Sequence, residues 1–141
     1  MFQSHNEDTI LFFVDVDIVF TVAALQRIRL NTIKGRSAYF PIVFSEFDPQ
    51  VVYGNDTSHS QHHFSVSDDT GYWRNYGFGI ASAYPTDLNL VGGFNTAIKG
   101  WGKEDVDLFD KFVKSKVISC KIKYFDPQIL FLVGNNFSTD F

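Results

Sequence analysis

The sequence predicts a single α/β domain in which a mixed sheet is flanked by helices. Apolar runs of strand length occur together with segments of helical periodicity, which is typical of this class. The 141 residues are enough for one modest core and too few for two ordinary domains. Sixteen phenylalanines favour strands and aromatic-lined grooves. The sequence contains no internal repeat and no linker-like segment.

The first third of the chain predicts a strand, a helix and a second strand. Residues 9–20 form an apolar run broken only by two aspartates, which predicts a strand buried on both faces. Residues 22–30 have one broad apolar side, which predicts an amphipathic helix that Gly35 ends. Residues 38–44 predict a second strand, and Pro41 indicates a strand start or a sheet edge.

The middle of the chain is rich in turn-forming residues. Residues 45–69 are polar and predict a long surface loop. Residues 71–79 alternate glycine with aromatic side chains. Residues 82–90 predict a turn into a short strand or helix, and residues 91–94 predict another turn.

The last part of the chain predicts one helix and one strand. Residues 105–113 place apolar side chains at helical spacing, which predicts a helix with a core face. Residues 117–124 predict a strand, and Asp126-Pro127 predicts the break that follows it.

Composition argues against several classes of protein. The net charge is −4 and there is no run of Lys or Arg, which argues against a nucleic-acid partner. The single cysteine, Cys120, excludes an internal disulfide and a Cys-x-x-Cys metal site. Residues 1–8 lack a signal-peptide pattern, and no apolar run approaches the roughly 18 residues of a membrane span. We therefore expect neither a signal nor an anchor within this sequence.

Two aspartates at the end of the first apolar run predict a divalent cation site. Asp15 and Asp17 are separated by one residue and follow the apolar residues 11–14. Charges are costly in an apolar strand unless they are paired or bound to metal, and carboxylate oxygens suit Mg²⁺ or Mn²⁺. The alternative is chance, because Asp105 and Asp107 form a second pair of the same spacing.

A second acidic segment predicts a general base. Glu104 and Asp105 follow Trp101, which stands between Gly100 and Gly102. A carboxylate beside glycines can approach a bound sugar and take the proton of an attacking hydroxyl, while a tryptophan can stack on a sugar ring. The alternatives are acids that complement the dipole at a helix start and a tryptophan that only packs.

Several motifs, in this order along the chain, resemble one family of enzymes. Asp15-Val16-Asp17, Gly92-Gly93-Phe94 and residues 100–105 resemble the inverting glycosyltransferases of the β4-galactosyltransferase-like group. More narrowly, four segments resemble the carboxyl-terminal domain of chondroitin synthases, chondroitin polymerising factors and chondroitin N-acetylgalactosaminyltransferases. These segments are Phe-Phe-Val-Asp-Val-Asp-Ile-Val-Phe at 12–20, Arg-Leu-Asn-Thr at 29–32, Tyr-Phe-Pro-Ile-Val-Phe-Ser at 39–45 and Trp-Arg-Asn-Tyr-Gly-Phe-Gly at 73–79.

The resemblance implies a partial GT-A fold, the nucleotide-diphospho-sugar transferase fold. Residues 1–141 would form the carboxyl-terminal part of the catalytic domain, with residues 10–117 matching the family and residues 118–141 forming a divergent tail. The implied reaction moves N-acetylgalactosamine from UDP-GalNAc to glucuronic acid of a growing chondroitin chain, with inversion to a β1,4 bond. The implied location is the Golgi lumen or the Golgi cisterna membrane, and a second chondroitin synthase family subunit is an implied partner.

The resemblance also implies roles for individual residues. Asp17 would coordinate Mn²⁺ and Asp15 would support the nucleotide side. Asp105 would be the general base, Glu104 would hold the acceptor or the donor sugar, and Trp101 would line the sugar pocket.

Two further residues are assigned to substrate binding. Gly93 belongs to one of the resembling motifs. Arg74 is a candidate for binding diphosphate or uronate, and its alternative is an ordinary salt bridge at the edge of the core.

The chain departs from the family pattern in two respects. Family members carry a nucleotide-binding half before the Asp-x-Asp strand and begin with a Golgi anchor, so we expect most uracil and ribose contacts to be missing here. The family usually has a histidine pair after the segment that corresponds to residues 101–105, whereas no histidine follows His63. His59, His62 and His63 are possible substitute ligands, but a polar cluster of this kind is usually only solvated. The alternative function is therefore a non-catalytic partner of an active synthase, like a polymerising factor.

Overall fold

A computed structural model describes residues 7–54, 66–74, 79–100, 102–121 and 125–132. They form eight strands and four helices. In chain order these are β1 (Leu11–Val14), β2 (Ile18–Phe20), α1 (Val22–Asn31), β3 (Ser37–Tyr39), β4 (Ile42–Glu46), α2 (Pro49–Tyr53), β5 (Gly71–Trp73), β6 (Ile80–Ala83), α3 (Pro85–Leu90), α4 (Glu104–Lys114), β7 (Ser119–Lys121) and β8 (Phe125–Leu132). None of the helices within these ranges has the length and apolar character that a membrane crossing requires.

The strands form two four-stranded sheets, in the orders β1-β6-β3-β7 and β2-β8-β4-β5. Each sheet is mixed, because β3 and β7 are parallel, β4 and β8 are parallel, and the other pairs are antiparallel. The predicted α/β class is confirmed, whereas the single mixed sheet of the prediction is in fact two.

The predicted strand over residues 9–20 is divided between the two sheets. β1 pairs with β6, β2 pairs with β8, and Asp15 and Asp17 lie in the turn between them. The amide of Ile18 donates to the carbonyl of Asp15 at 3.2 Å and helps to close this turn. Burial on both faces was wrong as well, because Leu11, Phe12 and Phe13 are only partly buried and Val14 is 38% exposed. Both aspartates therefore follow the carboxyl end of β1, outside the sheets, where their charges avoid the cost of burial in an apolar strand.

The predicted strand over residues 38–44 is divided in the same way. Pro41 has no amide hydrogen to donate to a sheet, and it separates β3 in the first sheet from β4 in the second. The prediction that Pro41 marks a strand start is confirmed, since β4 begins at the next residue, Ile42.

Helix α1 confirms the prediction for residues 22–30. Thr21 caps it by accepting the amide of Ala24 at 3.4 Å, and Ala24 and Ile28 are its buried residues. The helix ends at Asn31, one residue beyond the predicted range, and Gly35 does not end it but lies in the turn that follows, with φ of 69°.

Several predictions for the later segments need correction. The loop predicted over residues 45–69 contains the end of β4 and the short helix α2, while residues 55–65 lie outside the described residues. Strand β7 confirms part of the strand predicted over residues 117–124. The break predicted at Asp126-Pro127 is wrong, because β8 continues through both residues. The pairing of β8 with β4 is irregular at this point, since its register shifts between Ile42 and Phe44.

The core has two clusters of buried side chains. One gathers side chains of the first sheet with Leu88 of α3 and Leu108 and Phe112 of α4. The other joins Ala24 of α1 to apolar residues of β2, β4, β6 and β8. Packing through Leu108 and Phe112 fixes α4 against the sheet that contains β1, so the start of α4 comes to lie beside the end of β1.

Candidate functional site

The carboxyl end of β1 and the amino end of α4 meet at one cleft. The cleft has a volume of about 350 Å³, which is at the lower end for ligand pockets. Its acidic residues are Asp15, Glu104 and Asp105. The two acidic segments that the sequence singled out therefore lie on the same side of the molecule.

The β1–β6 ladder places Asp15 beside Gly79. Val14 pairs with Ile80, and the amide of Asp15 continues the ladder by donating to the carbonyl of Gly79 at 2.8 Å. The exposed Asp15 is thus fixed by backbone pairing, and it stands at the last position before the chain turns away into β2.

Asp105 is oriented by two backbone amides. Its Oδ1 accepts the amide of Val106 at 2.7 Å, and its Oδ2 accepts the amide of Gly79 at 3.4 Å. The local backbone helps to aim it, because Lys103 has a left-handed conformation, with φ of 77°, directly before α4 begins. A carboxylate fixed by amides on both oxygens keeps lone pairs available for a proton.

The rest of the cleft lining is largely apolar and aromatic. Phe12, Phe13, Ile80, Phe94 and Leu108 contribute to it. The rings of Phe13 and Phe94 are in edge-to-face contact, with centroids 5.0 Å apart. A cleft lined by both carboxylates and aromatic rings suits a ligand that has both hydroxyl groups and carbon-bound hydrogens, as a sugar has.

Three other acidic side chains lie near enough to Asp15 to act on its carboxyl. The pKa of Asp15 is raised by partial burial of its carboxyl and, in decreasing order, by the like charges of Asp17, Asp105 and Glu104, while Arg74 acts in the opposite direction. The like charges of Asp17, Asp105 and Glu104 act against the ionised Asp15, and a nearby cation would offset them.

The remaining predicted residues lie at varying distance from the cleft. Asp17 is half-buried in the turn after Asp15 and does not line the cleft. Arg74 donates from Nε to the hydroxyl of Ser45 at 2.7 Å, and its positive charge acts on Asp15. Gly93 is likewise not a lining residue, although its neighbour Phe94 is.

Four of the candidate residues cannot be placed. Trp101, His59, His62 and His63 lie outside the described residues. Within the described residues, no group of three or more His, Cys, Asp or Glu side chains could hold a metal ion.

The sequence reasoning missed Gly79, which contacts both acidic segments. The only signal was its place at the end of the glycine-aromatic stretch 71–79, and that pattern does not show which glycine faces a carboxylate. The aromatic pair of Phe13 and Phe94 was also missed as a wall, because its two members come from distant segments.

The chain is similar to known proteins over most of its length. The family model described as chondroitin N-acetylgalactosaminyltransferase matches residues 1–127. Chondroitin sulfate synthase 3 of Homo sapiens is 48% identical over 110 residues, which cover 78% of this chain and 12% of that protein. Chondroitin sulfate N-acetylgalactosaminyltransferase 1 of Homo sapiens is 40% identical over 115 residues, which cover 80% of this chain and 22% of that protein.

A more distant relative is named for a different acceptor. N-acetyl-beta-glucosaminyl-glycoprotein 4-beta-N-acetylgalactosaminyltransferase 1 of Mus musculus is 30% identical over 112 residues, which cover 78% of this chain and 10% of that protein. The chain thus spans less than a quarter of the length of each of these three relatives. No solved structure matches the chain.

Proposed function

The chain belongs to the chondroitin N-acetylgalactosaminyltransferase family, and from this premise we propose that it carries the catalytic carboxylates of an inverting glycosyltransferase with a GT-A fold. The proposed reaction transfers N-acetylgalactosamine from UDP-GalNAc to a glucuronic acid at the end of a chondroitin chain. The proposed setting is the Golgi lumen or the Golgi cisterna membrane, and the proposed partner is a second synthase family subunit.

One observation carries this proposal. Asp15 and Asp105, from segments far apart in the sequence, line the same cleft and are both hydrogen-bonded to the backbone of Gly79. A transferase needs one acidic group near the leaving diphosphate and another near the attacking hydroxyl. The convergence of the two segments in one cleft supports these two roles.

Asp105 is the proposed general base. Its carboxylate takes the proton of the acceptor hydroxyl, whose oxygen forms a bond to the anomeric carbon of the donor sugar. The bond from that carbon to the diphosphate oxygen breaks at the same time, and its electron pair leaves with UDP. Glu104, the exposed first residue of α4, is proposed to hold the acceptor or the donor sugar.

Carboxylate oxygens are ligands of the kind that Mn²⁺ takes. Divalent cations of this kind are usually held by one or two carboxylates together with substrate phosphates, so a complete protein cage is not required. We propose that Asp17 coordinates the cation and that Asp15 supports the nucleotide side. A bound cation would neutralise the charge that develops on the leaving diphosphate. Without one, the carboxylates that raise the pKa of Asp15 would also repel the diphosphate.

Three further residues are proposed to contact substrates. Arg74 lies near enough to Asp15 for its positive charge to favour the ionised carboxyl. At that position its guanidinium group would also reach a diphosphate or a uronate bound in the cleft. Trp101 is proposed to line the sugar pocket. Gly93 is proposed to act through the turn that places Phe94 in the cleft wall.

The experiment measures transfer by the natural polypeptide that carries this sequence. The reagents are UDP-GalNAc, Mn²⁺ and a chondroitin oligosaccharide that ends in glucuronic acid. We expect a β1,4-linked product, and we expect Asp105→Asn to lower kcat by about 10²- to 10⁴-fold. The matched control is Asp110→Asn on the same helix, whose exposed carboxylate pairs with Lys114 at 3.3 Å. Wild-type rates in Asp105→Asn would refute the assignment of the base.

The same experiment distinguishes the alternative function. A wild-type protein that gives no product alone, but raises the rate of an active synthase added to it, would be a non-catalytic partner and would overturn the enzymatic proposal.

A further inference from the structure

Gly79 is the point at which the two acidic segments are joined. Its carbonyl accepts the amide of Asp15 at 2.8 Å, and its own amide donates to Oδ2 of Asp105 at 3.4 Å. The two peptide groups that flank the α-carbon of Gly79 therefore hydrogen-bond to the end of β1 and to the start of α4, respectively. Any shift of this α-carbon changes the separation and the relative direction of the two carboxylates.

A side chain at Gly79 would force the side chain of Asp15 to move. A Cβ built on it would lie 2.7 Å from Oδ2 of Asp15 and 3.1 Å from Cδ1 of Ile18. Its φ of 56° also lies in the left-handed region that favours glycine. A substitution at Gly79 therefore has two separate effects: backbone strain, and a collision with the Asp15 carboxyl in the cleft.

Gly35 provides a comparison in which the backbone is also left-handed and the amide also donates to a carboxylate, that of Asp87 at 3.0 Å, but the space around the α-carbon is open. Its φ is 69°, and a Cβ built on it would meet no atom within 4 Å. It does not line the cleft. A methyl group at Gly35 therefore introduces the conformational strain without the collision.

We infer that Gly79 is a positioning residue: its amide aims the Asp105 carboxylate at the acceptor, and its lack of a side chain leaves room for the Asp15 carboxyl. This inference rests on the proposed function, because it concerns the same transfer step. The acceptor sugar is held in one place, so its hydroxyl cannot move to follow a displaced Asp105 carboxylate. A water molecule can reorient to meet a displaced carboxylate. Misplacement of Asp105 should therefore impair transfer to the sugar more than transfer to water.

The test is the ratio of donor hydrolysis to sugar transfer. Both reactions break the bond between the anomeric carbon and the diphosphate, and they differ only in whether a water or a sugar hydroxyl gives up its proton and bonds to that carbon. The ratio does not depend on how much of the protein is folded, so a general loss of stability would leave it unchanged. It is measured on the natural polypeptide that carries this sequence, as released UDP against labelled oligosaccharide.

We expect Gly79→Ala to raise the ratio of hydrolysis to transfer by about tenfold or more, since misplacement of about 1 Å can cost about 10²-fold in rate. We expect Gly35→Ala to keep the wild-type ratio, even if it lowers the melting temperature. An unchanged ratio in Gly79→Ala, in a protein whose wild type transfers sugar, would overturn the inference and leave the proposed function intact. No transfer by the wild type would instead overturn the proposed function.

A second variant covers the case in which Gly79→Ala does not fold. Asp105→Glu keeps the carboxylate but moves it one methylene further from the helix backbone, so the amide of Gly79 no longer fixes its direction. We expect its ratio of hydrolysis to transfer to rise as well. A wild-type ratio in Asp105→Glu would overturn the inference independently.

Discussion

Lys111 donates from Nζ to the carbonyl of Gly93 at 2.8 Å, which fastens the turn at residues 91–94 to helix α4. The same ammonium group pairs with Asp107 at 2.8 Å, one turn earlier on the helix. The turn carries Phe94 and the helix carries Asp105, so this contact fixes the aromatic wall of the cleft relative to the proposed base.

Replacement of Lys111 should therefore destabilise the fold measurably. Lys111→Met keeps most of the side-chain length and removes both contacts, and we expect it to lower the free energy of unfolding by about 1–2 kcal/mol. Urea denaturation measures this value. Lys114→Met is the matched control, because its ion pair with Asp110 is largely exposed and should contribute less than about 0.5 kcal/mol. Equal losses in the two variants would contradict a special role for Lys111.

Removal of Phe112 should cost far more than removal of its neighbour. Phe112 is 1% exposed and packs edge-to-face on Phe40, with ring centroids 5.8 Å apart. We expect Phe112→Ala to lower the free energy of unfolding by about 3–5 kcal/mol. Val113→Ala, at a position that is 53% exposed, should change it by less than about 0.5 kcal/mol. A small effect of Phe112→Ala in thermal and urea denaturation would show that α4 does not pack as described.

Replacement of Asp15 should stabilise the protein near neutral pH. Burial and neighbouring acids raise the pKa of Asp15 above its ordinary value of 3.8, so the folded state binds this proton more tightly than the unfolded state does. Stability is therefore lost as the pH rises from 3.8 through the folded pKa. Asp15→Asn removes this loss, and we expect a gain of at most about 1 kcal/mol at pH 7, because solvent screens the carboxyl.

The pH dependence provides the check. The melting temperatures of wild type and Asp15→Asn should converge as the pH falls below about 4. Asp68→Asn, at an exposed position, is the control for a general effect of removing one acid. A wild-type protein that is more stable than Asp15→Asn at pH 7 in the absence of cations would argue against repulsion at this cluster.

Asp17 should matter for the cation more than for the fold. Asp17→Ala is expected to weaken Mn²⁺ binding and to lower transfer by at least about 100-fold, since the cation contributes several kcal/mol to stabilising the leaving diphosphate. Binding is measured as the loss of the free Mn²⁺ signal in electron paramagnetic resonance, independently of activity. The control is Asp8→Ala, whose carboxylate pairs with Lys34 at the surface. Unchanged Mn²⁺ affinity in Asp17→Ala would exclude Asp17 as a ligand.

The sequence determined the features that depend on neighbouring residues. The periodicity of apolar side chains was enough for α1 and α4, because each helix buries one face through residues three and four apart. The turn at residues 91–94 and the place of the aspartates at a strand end followed from local chemistry as well. Family membership followed from motifs whose order and spacing are visible without coordinates.

Only the tertiary structure decided how these pieces come together. The runs at 9–20 and 38–44 look continuous in sequence, but each is shared between two sheets, because strand pairing depends on partners that are distant in the chain. The role of Gly79 likewise depends on contacts between segments that are distant in the chain. Nothing local marks its α-carbon as the place where Asp15 and Asp105 meet, since the pairing of β1 with β6 and the packing of α4 through Leu108 and Phe112 bring them there.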